Sequence, residues 1–119
     1  MMRIQQGADW GRFWPLANPD GTPILDWSGW AALAQVRDTP ATDSPVLWSW
    51  QTDPDDDAFA GIAVFGGSPG GITLAHNGAD SLPWTWRLGV WDLRVTNPSG
   101  QVAFTARGRV MVLPAVTRT

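Results

Sequence analysis

The densest cluster of ionisable side chains is Asp53-Pro54-Asp55-Asp56-Asp57, whose alternating carboxylates have the opening spacing of a calcium-binding loop. Such a loop turns at a glycine in its sixth position and closes on a bidentate glutamate in its twelfth, where this chain has Ala58 and Val64. The run therefore reads as a solvated turn between strands. Gly66-Gly67-Ser68-Pro69-Gly70-Gly71 has the flexibility of a phosphate cradle, but that chemistry needs a lysine and a helix to follow. There is no lysine in the chain, and Ile72-Thr73-Leu74 reads as strand, so an inter-strand loop is the better account. His76 is the single histidine, too few for a multi-histidine metal site and weak ground for a triad. At a strand end it is expected on the polar rim. The serines, Ser28, Ser44, Ser49, Ser68, Ser81 and Ser99, fall mostly in turns, and none sits in a Gly-x-Ser-x-Gly elbow. These patterns yield no catalytic residue, no cofactor and no metal ligand, and the expectation is a non-enzymatic protein.

The chemistry that remains is aromatic. Nine tryptophans occur in 119 residues: Trp10, Trp14, Trp27, Trp30, Trp48, Trp50, Trp84, Trp86 and Trp91. Each buries about 150–250 Å² and needs a partner for its indole N–H, so a small core is hard pressed to enclose them all. Trp30 and Trp91 lie in strongly alternating segments and are expected in the core. Trp48 and Trp50 share one face of a strand by the period-2 rule, as do Trp84 and Trp86 if that segment is extended. These four are the candidate interface residues, because paired indoles form flat platforms of the kind that concentrate binding energy. The partner of such a platform is another protein or, since sugar rings stack on indoles, a host surface glycan.

The elements that hold these residues are strands. Every acid is Asp and every base is Arg, and the absence of Glu and Lys removes two good helix formers. Val, Thr, Trp and Phe, with 13 Gly and 10 Pro, supply strands and turns. Turn signals recur at Asn18-Pro19-Asp20-Gly21, Ser28-Gly29, Asp38 to Ser44, Asp53 to Asp57, Gly66 to Gly71, Asn77-Gly78 and Asn97-Pro98-Ser99-Gly100. Between them, Trp30 to Arg37 alternates with a polar end on one face. Trp91, Leu93 and Val95 oppose Asp92, Arg94 and Thr96, and the alternation resumes from Val102 to Val112, which predicts a long hairpin. Gly108 in its middle predicts a bulge or a close approach by another strand. Shorter strands are expected at Arg3 to Gln6, Trp10 to Leu16, Pro45 to Gln51, Ala58 to Phe65 and Ile72 to His76, with one helical turn within Asn77 to Leu82. The reading is a single all-β domain over 1–119: an immunoglobulin-like antiparallel β-sandwich of about seven or eight strands, with a small β-barrel as the alternative.

Charge and hydropathy narrow the setting. A net charge of −3 argues against nucleic acid as a partner. The amino terminus turns polar after four residues and no stretch has the length of a membrane helix, so neither a secretory leader nor membrane insertion is expected. Without cysteine, no disulfide framework is available.

Several of these segments in order resemble a group of small tail-associated proteins of phages and prophages, described as minor tail or baseplate components. Gln6-Gly7-Ala8-Asp9-Trp10, Asn18-Pro19-Asp20-Gly21-Thr22-Pro23 and Trp27-Ser28-Gly29-Trp30-Ala31-Ala32-Leu33-Ala34-Gln35-Val36-Arg37 look like that family's opening strand, first turn and Gln-Val-Arg strand. Gly89-Val90-Trp91-Asp92-Leu93, Asn97-Pro98-Ser99-Gly100, Gly108-Arg109-Val110, Leu113-Pro114 and Val116-Thr117-Arg118 resemble its final hairpin and terminus. The middle, Asp38 to Leu82, matches in outline, and the chain departs from the family in its excess of tryptophan and its lack of Lys, Glu and Tyr. The resemblance implies an immunoglobulin-like sandwich without catalytic residues, built in repeated copies into a virion. The expected localisation is the virion, in the phage tail or tail tip in preference to the capsid, with synthesis in the host cytoplasm. Its partners would be other phage structural proteins and copies of itself. A carbohydrate-binding adhesion module and a capsid decoration protein are the alternatives.

Overall fold

The computed structural model describes residues 1–39, 44–52, 61–66 and 70–114. The acidic run Asp53 to Asp57, the centre of the glycine loop (67–69), the expected strand start at 58–60 and the terminal Val116-Thr117-Arg118 lie outside them. Eight strands and one short helix follow in the order β1 (Met2–Gln5), β2 (Trp10–Pro15), β3 (Ala31–Arg37), β4 (Val46–Gln51), β5 (Gly61–Gly66), β6 (Gly71–His76), α1 (Gly78–Ser81), β7 (Leu88–Thr96) and β8 (Val102–Leu113).

The final hairpin forms as its alternation requires. Trp91, Leu93 and Val95 are buried and Asp92 and Arg94 exposed. Across the ladder, Val110 and Val112 are buried too. Its turn is fixed locally: the Asn97 side-chain oxygen accepts the N–H groups of Ser99 and Gln101, each at 3.0 Å, and Gly100 takes φ = 83°, a left-handed conformation that suits glycine.

The chain is all-β, and the strands pair as the barrel alternative has it. They make one sheet in the order β1-β8-β7-β3-β4-β5-β6-β2, nearly closed on itself, in place of two stacked sheets. What joins the halves is a two-residue parallel ladder, Trp50 with Gly61 and Gln51 with Ile62. It depends on Gly61, since a Cβ there would collide with the Trp50 ring. A second parallel ladder runs from Met2–Val110 to Gln5–Leu113. These two ladders depart from the expected all-antiparallel pairing. Neither is announced by a hairpin turn, because parallel neighbours are never joined by one.

The interior is packed by pairing large with small, as a narrow barrel requires. Trp50 lies between Ala34 and Gly61 in the sheet, and Trp91 between Val36 and Gly108. Gly108 sits in regular register, and the close approach it permits is that of the Trp91 indole, whose Nε1 would lie 3.1 Å from an added Cβ. Closure is visible in contacts between strands far apart in the sheet order: Trp14 on β2 meets Trp91 on β7, with ring centroids 5.7 Å apart.

The end strands β1 and β2 share no ladder among the described residues. The turn between them is tied to α1 and the segment after it. Gln6 Nε2 donates to the carbonyl oxygens of Ser81 (3.1 Å), Leu82 (2.9 Å) and Trp84 (2.9 Å). The Gly7 N–H donates to Ser81 Oγ and the Gly78 N–H to Asp9 Oδ1, both at 2.8 Å. Gly78 packs on the Gly7 backbone so closely that a Cβ would not fit.

Candidate functional site

The nine indoles fall into three clusters. Trp27, Trp30 and Phe65 form one, with Trp27 stacked on Phe65 at 5.1 Å. Trp14 and Trp91 form the second, and the Arg12 guanidinium lies over both rings, 4.8 Å and 5.8 Å from their centroids. The third joins Trp10, Trp48, Trp50, Trp84 and Trp86 around His76.

The candidate interface residues therefore lie elsewhere than expected. Trp48 and Trp50 share a face, as period-2 spacing requires, but it is the inner face, and both are buried. Trp84 is buried in a non-strand segment, and Trp86, half-buried, stacks on it at 4.8 Å and 28°. An outward platform is not what these four build. The physical reason is room: Ala34, Ala63, Gly61 and Gly108 free the volume that the indoles fill. Of the two residues expected in the core, Trp91 is buried and Trp30 half-buried.

His76, expected on the rim, is 5% exposed at the centre of this cluster. Rings of Trp10, Trp84, Trp48 and Trp50 stand 5.2 to 5.9 Å from its own. Trp50 Nε1–H donates to His76 Nδ1 at 3.3 Å, so the neutral imidazole carries its proton on Nε2. Burial pulls its pKa down from 6.5 to about 4, against the smaller opposing pull of the Asp80 and Asp9 carboxylates. Among the described residues, His76 Nε2 and the Nε1 atoms of Trp48, Trp86 and Trp91 are buried without a hydrogen-bond partner. All four are donors, and Trp48 stands edge-to-face on His76, at 73°, a geometry in which an N–H meets a π face in place of an acceptor. The sequence signal for this site was the strand parity of His76 with Ile72 and Leu74, both core residues.

The cluster is thus full of its own side chains. Surface able to meet a partner lies on the outer wall. On β5, β6 and β2 the outward rows read Val64–Thr73–Phe13 and Ile62–Ala75–Gly11 across the ladders. Val64 is 53% exposed, Ile62 44% and Phe13 40%, and no charged residue stands in either row. Sequence reasoning passed over this wall, although β5 is apolar on both faces, and a strand of that kind calls for cover on both. Among the described residues no three His, Cys, Asp or Glu side chains gather as metal ligands, and no helix is long and apolar enough to cross a membrane.

Comparison with protein-family models and with curated proteins finds no significant match.

Proposed function

We propose that the protein is a non-enzymatic structural subunit of a bacteriophage particle, a minor tail or tail-tip component that works by packing its outer wall against neighbouring subunits. The observation that carries this reading is the uncharged outer wall of β5, β6 and β2, with Val64, Ile62 and Phe13 contiguous and about half exposed. Contiguous apolar surface rimmed by polar residues is the mark of a protein contact. Covering the remaining half of each of these side chains contributes about 1 kcal/mol apiece, enough to matter when a contact is repeated around a symmetric particle. The phage setting is supported by the resemblance of the strand and turn segments to small tail-associated proteins.

The test is incorporation. The chain, and variants Val64→Asp and Phe13→Ser, are supplied in trans to a phage lacking the gene, and purified particles are probed by quantitative immunoblot. Several copies of the unaltered chain per particle are expected, with loss of Val64→Asp from particles while its circular dichroism stays that of the folded chain. Particles free of the unaltered chain, or carrying Val64→Asp at the same level, overturn the proposal.

A further inference from the structure

The outer wall of β3, β7, β8 and β1 has a different chemistry. Its outward positions form rows across the ladders: Leu33–Arg94–Thr105, Gln35–Asp92–Arg107, Arg37–Val90–Arg109 and Leu88–Met111–Arg3, ending on Leu113–Gln5. Five of the chain's eight arginines stand on these positions, against one of its eleven aspartates, Asp92, which leaves them a formal +4. Asp38 follows Arg37 where β3 ends. The first three rows line an open depression of about 730 Å³.

Cations and aliphatic side chains interleave on this face. Arg37 is bound to the frame, donating to the Ser44 carbonyl and to Gln35 Oε1. Arg3, Arg94, Arg107 and Arg109 make no hydrogen bond or ion pair among the described residues. Like charges on neighbouring positions disfavour one another, so the cluster is a cost to the isolated fold that an anionic partner would offset. Among the cations, Leu33, Leu88 and Leu113 are exposed, Leu88 by 61%, and Val90 and Met111 are half-buried. Along β8 the outward side chains pass from charged to apolar: Arg107, Arg109, Met111, Leu113.

We infer that this face docks on an anionic lipid surface, as a contact at the level of the headgroups with no strand or helix crossing the bilayer. The argument is complementarity of two kinds on one face. Guanidinium forks pair with phosphate oxygens, and an arginine lays its methylene stem along apolar surface while its head reaches the phosphates. Leu88, Met111 and Leu113 supply what enters the boundary between headgroups and acyl chains, the division of labour of an interfacial amphipathic helix, built here on strands. The face is four strands wide, at about 4.8 Å each, and runs about 26 Å along β8 from Thr105 to Leu113. The net −3 of the whole chain does not cancel it, because exposed charges more than ~10 Å away are largely screened at about 0.1 M salt. Single-stranded nucleic acid is a poorer fit, since these rows hold no aromatic ring for bases to stack on. The inference stands apart from the assembly reading, which rests on β5, β6 and β2.

Flotation of the full chain with vesicles tests this, using phosphatidylcholine alone and equal parts phosphatidylcholine and phosphatidylglycerol, in about 50 mM and about 500 mM salt. Arg107→Gln/Arg109→Gln, Leu88→Asp and Val64→Asp are measured beside it, and circular dichroism checks that each is folded. Binding is expected on the phosphatidylglycerol vesicles and not on phosphatidylcholine alone, and it should weaken in high salt. The double arginine variant should bind about tenfold or more weakly, Leu88→Asp should also bind more weakly, and Val64→Asp, on the other wall, should bind as the unaltered chain does. Absence of binding to phosphatidylglycerol vesicles overturns the inference, as does equal binding to phosphatidylcholine or binding that persists in the double arginine variant. Binding unchanged in Leu88→Asp overturns it by removing the apolar half of the contact, and binding abolished by Val64→Asp overturns it by moving the contact to the other wall. A single-stranded DNA oligomer or polyglutamate that binds where the vesicles do not assigns the arginines to a soluble polyanion and also overturns it.

Discussion

His76 is neutral in the folded chain because indole rings stand where water would solvate its cation. Protonating Nδ1 would also set an N–H against the Trp50 N–H that now donates to it. The folded-state pKa, about 4, lies below the unfolded value of 6.5. The stabilisation is therefore complete above pH 6.5 and lost as pH falls through 4, as the unfolded chain takes up the proton first. Allowing for partial solvent screening, the loss is on the order of 2 kcal/mol. Urea unfolding of the unaltered chain and of His76→Phe at pH 7 and pH 4.5 checks it: the difference in stability between the two should shift in favour of the variant at the lower pH, isolating His76 from the aspartates common to both. An unchanged difference would show that the ring is already protonated or solvated. The parity of His76 with Ile72 and Leu74 was legible in the sequence. That four indoles from β2, β4 and the segment after α1 converge on it was not, because those contacts are set by how the sheet curls.

At the scale of elements, boundaries were read well where alternation and turn chemistry act locally. The hairpin of β7 and β8, its Asn97-Pro98-Ser99-Gly100 turn and the helical turn at Gly78–Ser81 stand close to where the residues place them. The elements that sequence left open are joined by groups distant along the chain. Gln6 is the clearest case, since one side-chain amide serves three carbonyls 75 to 78 positions away. Nothing in Gln5-Gln6-Gly7 distinguishes that glutamine from its solvent-facing neighbour Gln5 except strand parity. Gln6→Ala should cost about 1–3 kcal/mol by leaving buried carbonyls without donors. Hydrogen exchange is expected to quicken first at Ser81 to Trp84 and in the turn at Gly7 to Asp9, with β7 and β8 protected as before. Uniform acceleration across the sheet would show instead that the tie is not local.

For the whole molecule, the choice between sandwich and barrel turned on a ladder of two residue pairs, and composition cannot weigh so small a feature. The same applies to the wall. Alternation identifies an outward face but not which outward faces lie side by side, so Arg37, Arg94, Arg107 and Arg109, which stand on neighbouring outward positions of β3, β7 and β8, read as scattered charge in the sequence. Global cooperativity follows from β1, whose Met2 and Ile4 are buried against Val110 and Val112 of β8. Ile4→Ala should lower stability by about 2–5 kcal/mol. Tryptophan fluorescence and far-ultraviolet circular dichroism should still trace one shared urea transition, whereas separate midpoints would mean that β1 frays independently of the barrel.

That first strand also dictates when the fold can be completed during synthesis. Among the described residues its one ladder is with β8, so Ile4 stays unsheltered until that distant strand can pair with it. The fold is completed only when β8 is available to pair with β1, and until then the aromatic strands are exposed to pairing with one another first.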